Sequence, residues 1–251
     1  MARRHVVARW SFVGTAMSDL SPLMQPYRAL VIGATGAIGG AFVEAFQADA
    51  LCQSVACVSR THTPGFDLRD ASGIEQVALA LSGDAPYDVI IDATGQLTID
   101  GIGPEKSLAA LNDAALLRQF QINTVGPAMT LRYFAPLLCK GPAIYGKLSA
   151  RVGSISDNQK GGWYGYRASK AAFNMVLQSA AIELQRRNPA LRVVALQPGT
   201  VRSPLSNPFS QGVSQLLEPE ASVAGMLGAL RSLPPARGAQ FIDHRGESIG
   251  W

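Results

Sequence analysis

The chain has 251 residues, of which 47% are hydrophobic and 16% charged, and its net charge of +4 is spread without a long basic run. Such a chain can bury one large core, and it gives no sign of nucleic-acid binding or of the roughly 20-residue apolar run that a membrane-spanning helix needs. The three cysteines lack CxxC spacing and the three histidines are scattered, so we predict neither a disulfide framework nor a metal site, and we expect a cytoplasmic location.

Residues 1–27 precede the first regular pattern. They contain three arginines and no acidic residue before Asp19, which is the composition of some transit peptides, but they lack the apolar stretch of a secretory signal. A disordered extension and a start codon assigned too far upstream are the alternatives. We therefore expect the folded domain to span residues 28–251.

From residue 28 the chain alternates between strand and helix patterns. Apolar runs predict six strands, in RALVIG, SVACVSR, YDVIIDATG, AIYGKLSA, LRVVALQPG and AQFID. Helical spacing between them predicts helices in AIGGAFVEAFQADA, in ASGIEQVALALSG, from about Asp113 to Leu138, around Tyr166, and in SVAGMLGALRSL. This alternation predicts a single-domain, doubly wound α/β fold, a parallel sheet with helices on both faces. Ligands of such sheets bind beyond the carboxyl ends of the strands.

The turn after the first strand, GATGAIGG, is rich in glycine. A phosphate group needs a tight turn, closely approaching backbone N–H groups and a helix N-terminus. Gly33 can supply the turn, Gly36 the close approach, and Gly39 the packing of helix on strand. Because the spacing is GxxGxxG and not GxGxxG, helix packing alone is the alternative to dinucleotide binding.

The second strand ends in Ser59, Arg60 and Thr61, without an acidic residue. In dinucleotide-binding folds an acid at this place bonds the ribose 2′-hydroxyl, whereas an arginine accommodates a 2′-phosphate. This ending favours NADP(H) over NAD(H). The alternative is that Arg60 is a solvated residue after a strand.

Tyr166 and Lys170 are four residues apart, which places two side chains on one face of a helix. Tyr164 is six residues from Lys170 and faces elsewhere. Hydride addition to a carbonyl leaves a developing alkoxide, and a phenol can protonate it when a nearby ammonium lowers the phenol pKa from about 10 toward neutrality. The same spacing is common on helix surfaces, so a structural role is the alternative.

Several motifs in order resemble the short-chain dehydrogenase/reductase family over residues 28 to about 245. They are VIGATGAIGG, DATG, an asparagine in the long central helix, YRASK and QPGTV. More narrowly, DATGQL, INTVGP, SARVGSISDN and PGTVRSPLS resemble the C-factor-like branch, which is related to sniffer-type carbonyl reductases. The resemblance implies a Rossmann-like sheet, bound NAD(P) and a catalytic set of Asn, Ser, Tyr and Lys.

Carried over by position, the resemblance makes Tyr166 the general acid/base. Lys170 would lower the pKa of Tyr166 and bind the nicotinamide ribose. Asn123 would hold a water that connects Lys170 to solvent, and Gly126 and Pro127 just beyond it should disturb the helix, since an interior proline removes a hydrogen bond.

The resemblance also implies which residues contact the dinucleotide. Asp67 would lie near the adenine, and Ser203 could reach a phosphate. The other cofactor-binding residues implied are Gly33, Thr35, Gly36, Ile38, Gly39, Arg60, Ala93, Thr94, Gly95, Tyr166, Lys170, Pro198, Gly199, Thr200 and Val201.

One position departs from the family pattern. The family serine at the end of the strand AIYGKLSA maps onto Ala150, which has no hydroxyl. Ser149 should point to the opposite face of that strand, whereas Ser154 lies in the loop beyond it. We take Ser154 as the substitute; a local backbone hydrogen bond is the alternative use of such a serine.

Three functions stay open on the sequence. The first is NADPH-dependent reduction of a small or medium carbonyl compound, or the reverse oxidation of an alcohol. The second is a dinucleotide-binding signalling or regulatory protein with little turnover, and the third is a compact epimerase. Substrate contacts are expected in the loops 96–105, 156–163 and 203–215, and a homodimer or homotetramer is expected to form through the central helix and the Tyr166 helix.

Overall fold

In the computed structural model, the described part of the chain comprises residues 21–203 and 216–251. It contains the six predicted strands and all the predicted helical stretches. The strands are β1 (Tyr27–Ile32), β2 (Cys52–Val58), β3 (Val89–Asp92), β4 (Ala143–Leu148), β5 (Leu191–Gln197) and β6 (Ala239–Asp243). The α-helices are α1 (Ala37–Ala48), α2 (Ala71–Leu81), α3 (Asp113–Phe120), α4 (Gly126–Phe134), α5 (Tyr164–Gln185) and α6 (Pro219–Ser232).

The six strands form one parallel sheet in the order β2-β1-β3-β4-β5-β6. The chain leaves β1 toward one edge to make β2 and then returns to the other side of β1 to make β3, where Ile32 pairs with Asp92. This reversal places a crevice at the carboxyl ends of β1 and β3, which is where doubly wound sheets bind ligands. The predicted doubly wound α/β fold is confirmed.

Apolar layers cover both faces of the sheet, as the nearly continuous apolar strands require. On one face, α1 and α6 pack through residues such as Phe42, Phe46 and Met226. On the other, α2, α4 and α5 pack through residues such as Phe134 and Phe173. No helix in the described residues is long and apolar enough to cross a membrane.

The predicted long central helix is interrupted in its middle. Residues Gln121–Val125 form a π-helical turn between α3 and α4. Pro127 has no N–H to offer the carbonyl of Asn123 four residues earlier, which accounts for the change in hydrogen-bonding pattern. Gly126 follows the turn, where an added Cβ would lie 2.5 Å from the carbonyl oxygen of Leu68. The expected helix disturbance at Gly126 and Pro127 is present.

The folded domain begins earlier than residue 28. Leu23 is fully buried in the core under α6, and Tyr27 already belongs to β1. The Ser21 hydroxyl donates to the carbonyl of Leu230 at 2.9 Å. The expected boundary was therefore wrong by several residues, because the short PLMQPY stretch carries no periodicity that marks it as core. The rest of the expected extension, residues 1–20, lies outside the described residues.

Candidate active site

A cavity of about 780 Å³ opens at the carboxyl ends of β1, β3, β4 and β5. Most of the predicted cofactor residues line it, together with Tyr166 and Lys170. The lining residues among the predicted ones are Thr35, Gly36, Ile38, Gly39, Ala93, Thr94, Gly95, Tyr166, Lys170, Pro198, Gly199, Thr200, Val201 and Ser203. The fold thus brings four separate strand ends to one site.

The glycine-rich turn after β1 gives this cavity a phosphate-sized end. Gly33 has a φ of +85°, and an added Cβ on Gly39 would lie 2.1 Å from the Gly33 carbonyl oxygen, so α1 packs directly on the turn. Gly36 precedes α1 and offers no side-chain cap, which leaves the N–H groups of the first helical turn without a side-chain acceptor. Residues 36–39 line the cavity, so the site fits the pyrophosphate of a dinucleotide.

The end of β2 lies beside this turn. The Thr61 hydroxyl lies 3.4 Å from that of Thr35, and Ser59 is buried while Arg60 is exposed. Arg60 does not line the cavity itself, and neither does Asp67, whose carboxylate accepts the N–H of Arg69 at 2.8 Å. The two residues predicted to contact the adenosine half are therefore outside the cavity, with Arg60 next to its glycine-rich end.

A fully buried ion pair supports the turn after β3. The Lys147 ammonium on β4 lies 2.9 Å from the Asp92 carboxylate, and both side chains are at most 1% exposed. Lys147 also donates to the carbonyl and the hydroxyl of Thr94, at 2.6 and 3.0 Å, and Asp92 accepts the Thr94 N–H at 2.9 Å. These bonds fix the backbone that carries Thr94 and Gly95 into the cavity. Sequence reasoning missed this pair, although a lysine inside an apolar strand was its visible signal.

Asn123 lies in the π-helical turn and is 1% exposed. Its amide donates to the carbonyl of Gln96 and to the Gln119 side chain, both at 2.8 Å, and its oxygen accepts the Gln96 N–H at 2.9 Å. An added Cβ on Gly95 would lie 3.1 Å from Lys170 Nζ and 3.2 Å from Asn123 Oδ1. Asn123 is thus near Lys170, but its side chain anchors the loop after β3 and does not line the cavity.

Tyr166 and Lys170 lie in the first two turns of α5. The Lys170 ammonium lies 5.7 Å from the centre of the Tyr166 ring and donates to the Leu148 carbonyl at 3.2 Å. Burial, followed by the charge of Lys147, lowers the pKa of Lys170 to about 7, against the opposing effect of Asp92. Burial raises the pKa of Tyr166 to about 12. The expected lowering of the phenol pKa was therefore wrong for this arrangement, in which the phenol is protonated at neutral pH.

The three residues considered for the missing serine have different surroundings. Ala150, onto which the family serine maps, lines the cavity. Ser149 also lines it, but its hydroxyl donates to the side chain of Asn174 at 2.7 Å. Ser154 is 2% exposed, accepts the N–H of Asp157 at 3.1 Å and does not line the cavity. The structure thus does not bring Ser154 to the cavity, and its hydroxyl makes the local backbone bond that was the alternative.

The start of α5 is held by a residue from the loop after β3. Glu105 is 8% exposed, and its carboxylate accepts the N–H of Gly165 at 3.0 Å, which satisfies a free donor at the positive end of the helix. The carbonyl of Glu105 accepts the N–H of Trp163. Trp163 has a φ of +53°, and its ring packs edge-on against Tyr166 with centroids 6.3 Å apart.

Further cavity residues come from the segments expected to contact substrate. The loops 96–105 and 156–163 both contribute, whereas 204–215 lies outside the described residues. The lining residues that were not singled out individually from the sequence are Ala37, Leu97, Leu148, Arg151, Val152, Lys160, Gly161, Trp163, Arg167 and Gln197. Among these segments, only the one before α5 had a signal in the sequence: the GGW tripeptide at residues 161–163 indicates a sharp turn.

Comparisons with known proteins agree with this architecture. The sequence model of the family described as short chain dehydrogenase matches residues 28–214. A 1-hydroxy-2-glutathionyl-2-methyl-3-butene dehydrogenase from Rhodococcus sp. (strain AD45) is 32% identical over 198 residues, which cover 78% of this chain and 83% of that protein. C-signal from Myxococcus xanthus is 32% identical over 167 residues, covering 66% of this chain and 93% of that protein. The predicted resemblance to the C-factor-like branch is confirmed.

Solved structures share the fold at low sequence identity. The carbonyl reductase Sniffer of D. melanogaster has a TM-score of 0.74 at 20% identity, with 90% of this chain and 100% of that chain covered. An NADPH-bound carbonyl reductase from chicken fatty liver has a TM-score of 0.79 at 20% identity, with 94% and 97% covered.

Proposed function

Because the chain belongs to the short-chain dehydrogenase family and is an NAD(P)-dependent oxidoreductase, we propose that it interconverts a carbonyl compound and its alcohol with NADP(H), using Tyr166 as the proton donor and acceptor. One observation carries the proposal: the phenol of Tyr166 and the ammonium of Lys170 line the same cavity as the uncapped N-terminus of α1. The reacting groups and the phosphate-binding end thus belong to one site.

Each residue then has a defined task. The nicotinamide, when bound, supplies or accepts the hydride. Tyr166 donates its proton to the alkoxide that develops on the substrate oxygen, and Lys170, one turn further along α5, binds the nicotinamide ribose. Residues 36–39 bind the pyrophosphate through backbone N–H groups. Trp163 and Leu148 add apolar lining that keeps water from the reacting atoms.

The first test is cofactor oxidation by the purified full chain. NADPH consumption at 340 nm is to be followed with a panel of aldehydes, ketones and quinones, and NADP⁺ reduction with a panel of alcohols. The Rhodococcus relative is named for a hydroxyl-bearing glutathionyl compound, so bulky polar alcohols belong in the second panel. Turnover with any member supports the proposal, whereas tight NADPH binding without turnover in either panel contradicts it.

A second candidate function is a dinucleotide-binding regulatory protein with slow turnover. Ala150 favours it, because the lining lacks a hydroxyl where the family pattern has its serine. The 32% identity to C-signal is in line with it. This candidate predicts that NADPH binds tightly while both substrate panels fail.

Replacing Arg60 with alanine should change the cofactor preference. Arg60 is exposed and precedes Thr61, whose hydroxyl lies 3.4 Å from that of Thr35, and a charge-assisted bond to a 2′-phosphate would be lost. We expect the KM for NADPH to rise about tenfold, equivalent to roughly 1.4 kcal/mol, and the KM for NADH to change less than twofold. Arg237→Ala, which removes another exposed arginine, is the matched control. Equal KM values for NADPH and NADH in the unmodified protein would contradict NADP(H) preference.

Introducing a hydroxyl at Ala150 should increase turnover. Ala150 has extended backbone (φ −152°, ψ 142°) that accepts serine without strain, and it lines the cavity at the end of β4. Removing one such donor from a developing oxyanion costs about 100- to 1000-fold in other enzymes. We therefore expect Ala150→Ser to raise kcat by about tenfold or more. Steady-state kinetics would count against this if kcat stayed unchanged, which would mean that another donor already serves the oxygen.

The expected self-association and location belong to the same proposal. Leu117 on α3 and Met175 on α5 are 71% and 67% exposed, an unusual position for large apolar side chains. We infer a homodimer or homotetramer through these helices. The three cysteines are free, in keeping with a reducing cytoplasm.

A further inference from the structure

The charged side chains that line the cavity are all cationic. In the part of the chain that the structure describes, the lining contains Arg151, Lys160, Arg167 and Lys170 and neither aspartate nor glutamate. Residues 204–215 contain no aspartate or glutamate either. A cavity with cations alone favours an anionic occupant.

Two of these four cations are already accounted for. Arg151 lies 3.2 Å from the carboxylate of Asp157 and 3.5 Å from that of Asp243, so neighbouring acids offset its charge. Lys170 belongs to the pair with Tyr166 described above. Arg167 and Lys160 are the two whose role the proposed reaction does not explain.

Neither Arg167 nor Lys160 takes part in any ion pair among residues 21–203 and 216–251. The half-buried guanidinium of Arg167 donates from Nε to the Gly162 carbonyl at 3.0 Å and from Nη1 to the Val152 carbonyl at 3.4 Å, both neutral acceptors. A guanidinium has five N–H donors, so these two bonds orient the group and leave donors for a ligand.

The position of these cations assigns them to the substrate side of the cavity. Arg167 follows Tyr166 directly in the first turn of α5, and both line the cavity together with Trp163, which immediately precedes the helix. Lys160 precedes Trp163 in the segment between β4 and α5. Apart from Tyr166 and Lys170, the cavity residues predicted to bind the dinucleotide come from the turns after β1, β3 and β5.

We propose that the substrate carries an anionic group, such as a carboxylate, away from its reacting carbon, and that Arg167, assisted by Lys160, binds this group. The inference rests on the proposed function for the identity of the reacting carbon. Arg167 is suited to the task because its planar donors match a carboxylate in pairs, whereas exposed Lys160 adds long-range attraction.

The test compares two aldehydes that differ in one charge, 4-carboxybenzaldehyde and methyl 4-formylbenzoate. Their affinities for the purified full chain are measured by calorimetry without reduced cofactor, so that the result does not depend on turnover. We expect the acid to bind at least tenfold more tightly than the ester. Arg167→Gln should weaken binding of the acid about tenfold and binding of the ester less than twofold. Arg167→Lys should have an intermediate effect, because it keeps the charge but loses the paired donors.

Controls separate this charge effect from general damage. Arg187→Gln makes the same change in net charge at an exposed position just after the end of α5 and should leave both affinities unchanged. Raising the salt concentration should weaken binding of the acid more than binding of the ester. The inference is overturned if the unmodified protein binds the acid no more tightly than the ester, or binds neither detectably. It is also overturned if Arg167→Gln lowers the two affinities equally.

The result also distinguishes this inference from the proposed function. Selective binding of the acid, together with no turnover in either substrate panel, supports an anion site and counts against the reductase. Turnover of both aldehydes with equal kcat/KM supports the reductase and overturns the anion site.

Discussion

Tyr166→Phe should lower kcat by about 100-fold or more on any substrate that the unmodified protein turns over. Phenylalanine keeps the ring that packs against Trp163, but it removes the hydroxyl that donates the proton, and general acid–base catalysis contributes about 10² to 10⁴ in rate. Because the pKa of this phenol is raised to about 12, the native side chain holds its proton at neutral pH and can donate it. Binding of NADPH should change less than threefold, as measured by fluorescence titration.

The matched control is the other tyrosine of the same helix. Tyr164 is 36% exposed and does not line the cavity, so Tyr164→Phe removes an equivalent hydroxyl without touching the proposed chemistry. We expect it to keep full activity. If Tyr166→Phe retained a tenth or more of the activity, or if both variants lost it equally, the proton-donor role of Tyr166 would be wrong.

Lys147→Met should destabilise the fold by about 3–5 kcal/mol. The substitution keeps the length of the side chain but leaves the Asp92 carboxylate buried without its ammonium, and the second oxygen of Asp92 already has no hydrogen-bond partner in the described part of the chain. For a domain of this size each kcal/mol corresponds to roughly 2–4 °C in Tm, so we expect a loss of about 6–20 °C in a thermal unfolding experiment.

Two further variants identify the cause of that loss. Lys140→Met removes an exposed lysine and should shift Tm by less than 2 °C, since a surface substitution typically changes stability by about 0.5 kcal/mol or less. The double variant Asp92→Leu/Lys147→Met removes both charges and should recover most of the lost stability. A stable Lys147→Met protein, or a double variant less stable than the single one, would contradict this interpretation of the pair.

The strands and helices were predictable because burial leaves a periodic pattern. Six apolar runs became six parallel strands, and the Gly126-Pro127 dipeptide correctly marked an interrupted helix. The buried pair was not predictable in the same way. A lysine within β4 indicates that a partner is needed, but the register that brings Asp92 beside it is set by the whole sheet, 55 residues away in sequence.

The error at Ser154 has a local cause. Ser154 was chosen because it lies in the loop beyond β4, but a place in a loop does not fix the direction of a side chain, and this loop begins with a single 3-10 turn at Arg151–Gly153. That turn directs Ser154 inward, where it bonds to the N–H of Asp157. Likewise, Leu23 was left out of the domain because the short buried stretch of residues 21–23 before β1 makes no periodic pattern.

The contact between Glu105 and the start of α5 has a consequence for protein engineering. The loop 96–105 contributes Leu97 to the cavity, and its far end is bonded to the backbone of Trp163 and Gly165, next to Tyr166. A grafted loop of foreign sequence would release the first turn of α5 unless it kept a carboxylate at position 105. This loop can therefore be exchanged between homologous proteins only if Glu105 is kept. Libraries that aim at new specificities should vary the interior of the loop and leave Glu105 unchanged.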